Sequence, residues 1–324
     1  MLKLIVVPLD GSAFAERALP LAVSLAERAG AELNLVHALD LLGRPEYAAD
    51  VPAADWWGGG SRDRAHAYVL GLAQRISDAT RLRVTASVLD PPIVQNLIEH
   101  AHDADLIVMA THGLGPLRRV WLGSTGDQIA RHAPCPVLFL RLRDERSKLP
   151  ETARWRHILV PLDGSQSAEA ILPVASQLAR SNAARITLLH AVQPPLVPIG
   201  FAPMLVGMQP VLSSDILPDT DRPAVARLHL LAQQLCASGL RADVEIAAGE
   251  LPITSGILRF ARNHEVDLIA LTTHGRGGFA RLMLGSVSHY LIRHATCPVL
   301  IVRPDAVDTC SLEEVVAGHA LPAT

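Results

Sequence analysis

Residues 5 to 12 read IVVPLDGS and residues 158 to 165 read ILVPLDGS, and the landmarks that follow recur in the same order. LVHA ending at Ala38 matches LLHA ending at Ala191, and DLIVMATHG ending at Gly113 matches DLIALTTHG ending at Gly275. RHAPCPVLFLR closes the first copy as RHATCPVLIVR closes the second. The offset between copies is 153 residues early and 162 later, so nine extra residues lie in the middle of copy two. A repeat of this length is a whole domain, and a chain of 324 residues has room for two, each with its own core. The charged run RLRDERSKLPETARWR (141–156) joins them. The expected boundaries are a first domain over 1–143, a linker over 144–154, a second domain over 155–304 and a tail over 305–324 with one short helix.

Within each copy, short apolar runs alternate with helical patterns. Leu4–Val7, Leu33–His37, Val84–Leu89, Leu106–Met109 and Val137–Leu140 read as strands. Ser12 is placed to cap a helix whose Ala18, Leu21, Ala22, Leu25 and Ala29 share a face. Strand, helix, strand, helix implies a parallel sheet covered on both sides. The expected fold is therefore α/β: two tandem Rossmann-like domains, each a five-stranded parallel sheet flanked by helices. Pro20 and Pro173 fall inside the first helix of each copy and should bend or restart it. Gln193–Pro223, with seven prolines, reads mostly as an irregular excursion.

Formal net charge is −3 with both signs interspersed, which argues against a nucleic-acid or anionic-membrane surface. No apolar run approaches the roughly 20 residues of a membrane-spanning helix. Cys135, Cys236, Cys297 and Cys310 form no CxxC pair, so the cytoplasm is the expected compartment. The only lysines are Lys3 and Lys148, and neither stands in a loop of the GK[ST] kind.

In an open parallel sheet, ligands settle where strands end and connections diverge. The PLDGS turns place Asp10 and Asp163 on that rim. A carboxylate repels a triphosphate, so its partner is a ribose hydroxyl or a base amine, unless it merely caps the turn. The fourth strand of each copy runs into THG, and nine residues then separate Gly113 from Gly123-Ser124 and Gly275 from Gly285-Ser286. Glycine lets an anion approach the backbone, and Gly-Ser opens a helix whose exposed amides favour negative charge. This is a lysine-free phosphate cradle, written twice. His37 and His190 end the second strand of each copy and are read as core residues, whereas His112 and His274 fall in the phosphate-side loop. No residue is assigned as catalytic or as a metal ligand.

On these motifs each copy resembles a universal stress protein domain, over nearly the whole chain outside the linker, the middle excursions and the tail. The resemblance implies an adenine-nucleotide site in each half, with ATP and Mg2+ as ligands. By position, Asp10 and Asp163 would contact the nucleoside, and the backbones of Ala38 and Ala191 the adenine. Gly113, Gly123, Ser124 and Thr125 would surround one set of phosphates, and Gly275, Gly285, Ser286 and Val287 the other. Pro8, Met109, Ala110 and His112 complete the first lining, and Pro161, Leu271, Thr272, His274 and Arg276 the second. The first glycine of the family's phosphate motif is replaced by Ala110 and by Thr272, which tightens that space. Copy one also has Pro116 where copy two has Gly278, which makes copy two the better site.

The resemblance implies a stress-response or signalling module that binds ATP with at most slow hydrolysis. The alternative is a nucleotide-free interaction module acting through protein partners. Enzyme readings fare worse: a Rossmann dehydrogenase would need GxGxxG where LDGS stands. By analogy the halves should pack as an intramolecular pseudo-dimer along PVLFLR and PVLIVR, and a homodimer of whole chains is compatible with that arrangement.

Overall fold

A computed structural model of the chain describes residues 2–38, 60–112, 124–142, 154–192, 218–248, 252–273 and 284–304. The linker, most of both excursions, the glycine loops and the tail lie outside them.

The first half runs β1 (Leu4–Leu9), α1 (Ala13–Glu16), α2 (Leu19–Ala29), β2 (Glu32–Ala38), α3 (Gly60–Ala79), β3 (Val84–Leu89), α4 (Ile93–His100), β4 (Leu106–His112), α5 (Ser124–His132) and β5 (Val137–Leu142). The second repeats it as β6 (His157–Pro161), α6 (Gln166–Glu169), α7 (Leu172–Asn182), β7 (Arg185–Val192), α8 (Arg222–Ala237), β8 (Arg241–Ala248), α9 (Ile253–Asn263), β9 (Leu268–Thr272), α10 (Ser286–His294) and β10 (Val299–Val302). Strands within each half pair in parallel, whereas β10 pairs antiparallel with β5, Val299 opposite Phe139 and Ile301 opposite Val137. The outcome is one sheet of ten strands in the order β3-β2-β1-β4-β5-β10-β9-β6-β7-β8, which reads the same from either end.

Helices cover both faces, so the inner strands are apolar on both sides: Ile5, Val6 and Val7 are fully buried in succession, as are Ile158, Leu159 and Val160. Burying each such side chain contributes about 1.5–3 kcal/mol. One face packs α2, α3, α7 and α8 with Trp155, and the other packs α4, α5, α9 and α10; each cluster contains residues of both halves. Among the described residues no helix is long and apolar enough to cross a membrane.

The first helix of each copy restarts at its proline, as expected. α1 ends at Glu16 and α2 begins at Leu19 with Pro20 in its first turn, where a missing donor costs nothing. Pro173 does the same for α7. The expected excursion is shorter than the sequence implied at its C-terminal end, because Arg222 and Pro223 already form the first turn of α8. A proline reads alike as a loop residue or a helix start, and only the pattern after it decides. At the opposite sheet edge, Asp105 accepts from the amides of Lys3 and Leu4 (2.6 and 2.9 Å), and its counterpart Asp267 accepts from those of Arg156 and His157 (2.7 and 3.0 Å).

Candidate functional site

β1 pairs with β4 only at Ile5 and Val6, yet with β2 as far as Leu9. Copy two repeats this: β6 meets β9 at Ile158 and Leu159 and then parts from it. The crevice so opened lies at the topological switch point of each half. Pro8 and Pro161 stand just past the last shared rung. The amide of Leu162 donates to Leu189 of β7 at 2.9 Å, so by strand alternation the nitrogen of Pro161 faces the β9 side, where no rung is missed.

Directly after these prolines comes the carboxylate turn. Asp163 Oδ1 accepts from the amide and hydroxyl of Ser165 at 2.9 and 2.6 Å, and that hydroxyl accepts from the amide of Ala168 as the cap of α6. Asp10 and Ser12 form the same arrangement at 3.0 and 2.6 Å. Each carboxylate therefore has a turn-building role through one oxygen. The DGS triplet was the signal for this serine, which the expected site omitted. α1 packs beside β4, and α6 beside β9, which brings each turn next to the end of the strand across the crevice.

On the far side of the second crevice, α10 is held tightly against the end of β9. The amide of Gly285 donates to the carbonyl of Thr273 at 2.8 Å, and the hydroxyl of Ser288 donates to the carbonyl of Thr272 at 2.8 Å. The Gly285 amide is thus already used, and the donors facing outward are the first-turn amides of Ser286, Val287 and Ser288, which helix geometry leaves without intrahelical acceptors. Thr272, at the first-glycine position, is buried. Ser288 carried no signal in the sequence, and its counterpart in copy one is Gly126. In the first half, Met109 and Ala110 lie in β4, whose backbone ends at His112, and Thr125 is exposed in α5, which starts at Ser124. Gly113, Gly123, His274, Gly275 and Arg276 lie outside the described residues, as do the side chains of His112 and Ser124.

Ala38 ends β2 as expected, whereas Ala191 stands one residue before the end of β7 at Val192, and the histidines before both are buried. Their surroundings differ. His190 Nδ1 lies 2.9 Å from the carbonyl of Leu162 and Nε2 lies 3.2 Å from Asp221 Oδ1. Both partners are acceptors, so only the doubly protonated ring donates to both. His37 instead meets Tyr68 edge-on at 5.4 Å, and the Tyr68 hydroxyl donates to Glu16 at 2.7 Å. Burial holds His37 below the ordinary imidazole pKa, against the opposing pull of Asp10 and a backbone hydrogen bond with Leu9. Glu169, the counterpart of Glu16, is gripped in bidentate fashion by Arg227 at 2.8 and 2.7 Å. The surroundings of the β2 and β7 ends have thus diverged while the turns have not.

Among the described residues no three His, Cys, Asp or Glu side chains cluster as metal ligands. Cys135 and Cys297 are equivalent free thiols at the entries to β5 and β10, each pushed up to about 12 chiefly by burial.

A sequence profile described as the Universal stress protein family matches residues 1–141 and again 154–303. A universal stress protein of Mycobacterium tuberculosis is 26% identical over 317 residues, covering 92% of this chain and 96% of its own. One from Bacillus subtilis is 30% identical over 149 residues, which is 46% of this chain and 99% of that protein, so it corresponds to one half. The crystal structure of a universal stress protein from Archaeoglobus fulgidus superposes with a TM-score of 0.68 at 18% identity, covering 93% of this chain and 98% of that one, a likeness of fold.

Proposed function

The chain belongs to the universal stress protein family, twice over, and from that premise we propose that each half binds one ATP with Mg2+, and that the protein works as a stress-response or signalling module that reads this load. The observation that carries the reading is the recurrence, in both copies, of a carboxylate turn beside a sheet crevice whose other wall leads into a helix N-terminus. Asp163 would take the ribose hydroxyls, the backbone of Ala191 the adenine edge, and the amides of Ser286 and Val287 the phosphates. Asp10, Ala38, Ser124 and Thr125 would do the same in the first half. Mg2+ would enter with the phosphates and offset their charge. Hydrolysis is expected to be slow at most, since no lysine stands in either glycine loop. The cytoplasm is the proposed compartment, and the two halves act as an intramolecular pair.

A second reading, a nucleotide-free module that works through protein partners, draws on two observations: Thr272, which replaces the first glycine, is buried at the end of β9, and the Gly285 amide is already engaged. The deciding experiment is mass analysis of small molecules released by denaturing the purified protein, combined with calorimetric titration of ATP and Mg2+. One or two adenine nucleotides per chain support the proposal. No nucleotide in either assay transfers the case to the second reading.

A further inference from the structure

Positions 127 and 289 are equivalent in the two copies, as are 131 and 293, because the offset through this region is 162. The first pair differs in charge and the second does not: α5 carries Asp127 and Arg131, and α10 carries His289 and Arg293. These two helices flank the pairing of β5 with β10, and Ile129, Leu291 and Ile292 share one apolar cluster with Phe139 and Val299. Asp127 Oδ2 accepts from Arg131 Nε on its own helix at 2.9 Å and lies 2.7 Å from Nη2 of the same guanidinium. Its Oδ1 is buried without a hydrogen-bond partner, and so is Nε of Arg293. The charges that act on His289 are Asp127 and Arg131 from across the seam, and Arg293 and His294 from its own helix.

We infer that Asp127 is the acid to which the second half's α10 face is fitted, so that the seam selects unlike halves of the chain. The four side chains hold a single carboxylate, contributed by the first half. Two second halves paired by the same strands would bring together two Arg293 and two His289 with none, a like-charge contact in a partly desolvated place. The second half's face therefore takes a first half and rejects a copy of itself. Cross-seam attraction, rather than a specific hydrogen bond, carries the preference. The buried Oδ1 of Asp127 and Nε of Arg293 are the atoms left for that attraction to act on.

The test uses the full chain and a double-mutant cycle read by urea midpoint, with the His289 ring followed by NMR titration. Asp127→Asn is expected to lower the midpoint and to move the His289 titration to lower pH, because the attracting charge is gone. Adding Arg293→Gln to Asp127→Asn is expected to cost less than half of what the two single losses sum to. Arg131→Gln with Asp127→Asn measures the same-helix pair separately. If the Asp127 and Arg293 losses add fully while His289 titrates as before, Asp127 serves only Arg131 and the inference fails. Should Asp127→Asn not fold, the charge swap Asp127→Arg with Arg293→Asp takes its place: a folded chain supports the cross-seam fit, and an unfolded one overturns it.

Discussion

The amide of Gly285 lies 2.8 Å from the carbonyl oxygen of Thr273, and a β-carbon built on Gly285 would meet that same oxygen at 2.8 Å. Helix α10 can therefore sit this close to β9 only with glycine at its cap. The obstruction is backbone, so no rotamer change relieves it. Gly285→Ala is expected to push α10 outward, with a stability loss of about 1–3 kcal/mol, typical of overpacking. The displaced first-turn amides should then lose ATP at the second site alone. Calorimetry should report a fall of one in the number of sites, while a variant that keeps the wild-type count and affinity would separate the cap from ligand binding.

Asp163 has two roles that one substitution can divide. Its Oδ1 accepts from the amide and hydroxyl of Ser165, and this builds the turn. Asparagine keeps an acceptor at that atom and removes the charge. Asp163→Asn is thus expected to change stability by no more than about 0.5–1 kcal/mol, the scale of a typical hydrogen bond. Affinity for ATP should fall at least tenfold through weaker contact with the ribose hydroxyls. Thermal melts beside calorimetry distinguish the roles: equal losses in both would mean that the carboxylate is only a turn residue.

Much of the fold was legible because buried parallel strands are continuous apolar runs and because the two copies check one another. The Ser12 cap and the proline restart were readable for local reasons, a side-chain acceptor and a missing donor. What stayed illegible depends on contacts distant in sequence. Nothing near Ser288 announces that it donates to Thr272, sixteen residues away. Nothing near Asp221 announces His190, because the intervening excursion has no periodicity to bring them together. Pro8 and Pro161 read as the start of the PLDGS turns, whereas they lie within β1 and β6, and their place at the parting of two strands follows only from the pairing register.

Gly30 and Ala183 close α2 and α7 at equivalent positions, both in the left-handed region, at φ 64° and 52°. Alanine pays a steric penalty there of roughly 1–2 kcal/mol that glycine does not. Copy one already carries the relaxed residue. Ala183→Gly is expected to stabilise the chain by about 1 kcal/mol, after allowance for the greater freedom of glycine in the unfolded chain. Differential scanning calorimetry should show a higher midpoint, and a lower one would mean that the Ala183 methyl makes packing contacts worth more than the strain.

Acid should destabilise the protein through its buried imidazoles. His37, His157 and His289 are each held below the ordinary histidine pKa, and burial is the largest cause for all three. For His157 the neighbouring Arg185 adds to the depression, against the carbonyl of His264 and the charges of Asp243 and Asp267. A base with a depressed folded pKa binds more protons when unfolded, so its contribution is complete above the unfolded value of about 6.5 and is lost as pH falls through the folded value. Each ring can add at most about 1.4 kcal/mol per pH unit to the slope, and the partly exposed His289 adds less because water screens it. Urea midpoints should hold steady from pH 8 to 7 and fall between pH 6.5 and 5, where most carboxylates are still ionised. His157→Gln should flatten that fall, since a neutral amide replaces the ring that burial and Arg185 otherwise hold uncharged. A midpoint that does not change between pH 7 and 5 would show that these rings accept protons in place, without unfolding the chain.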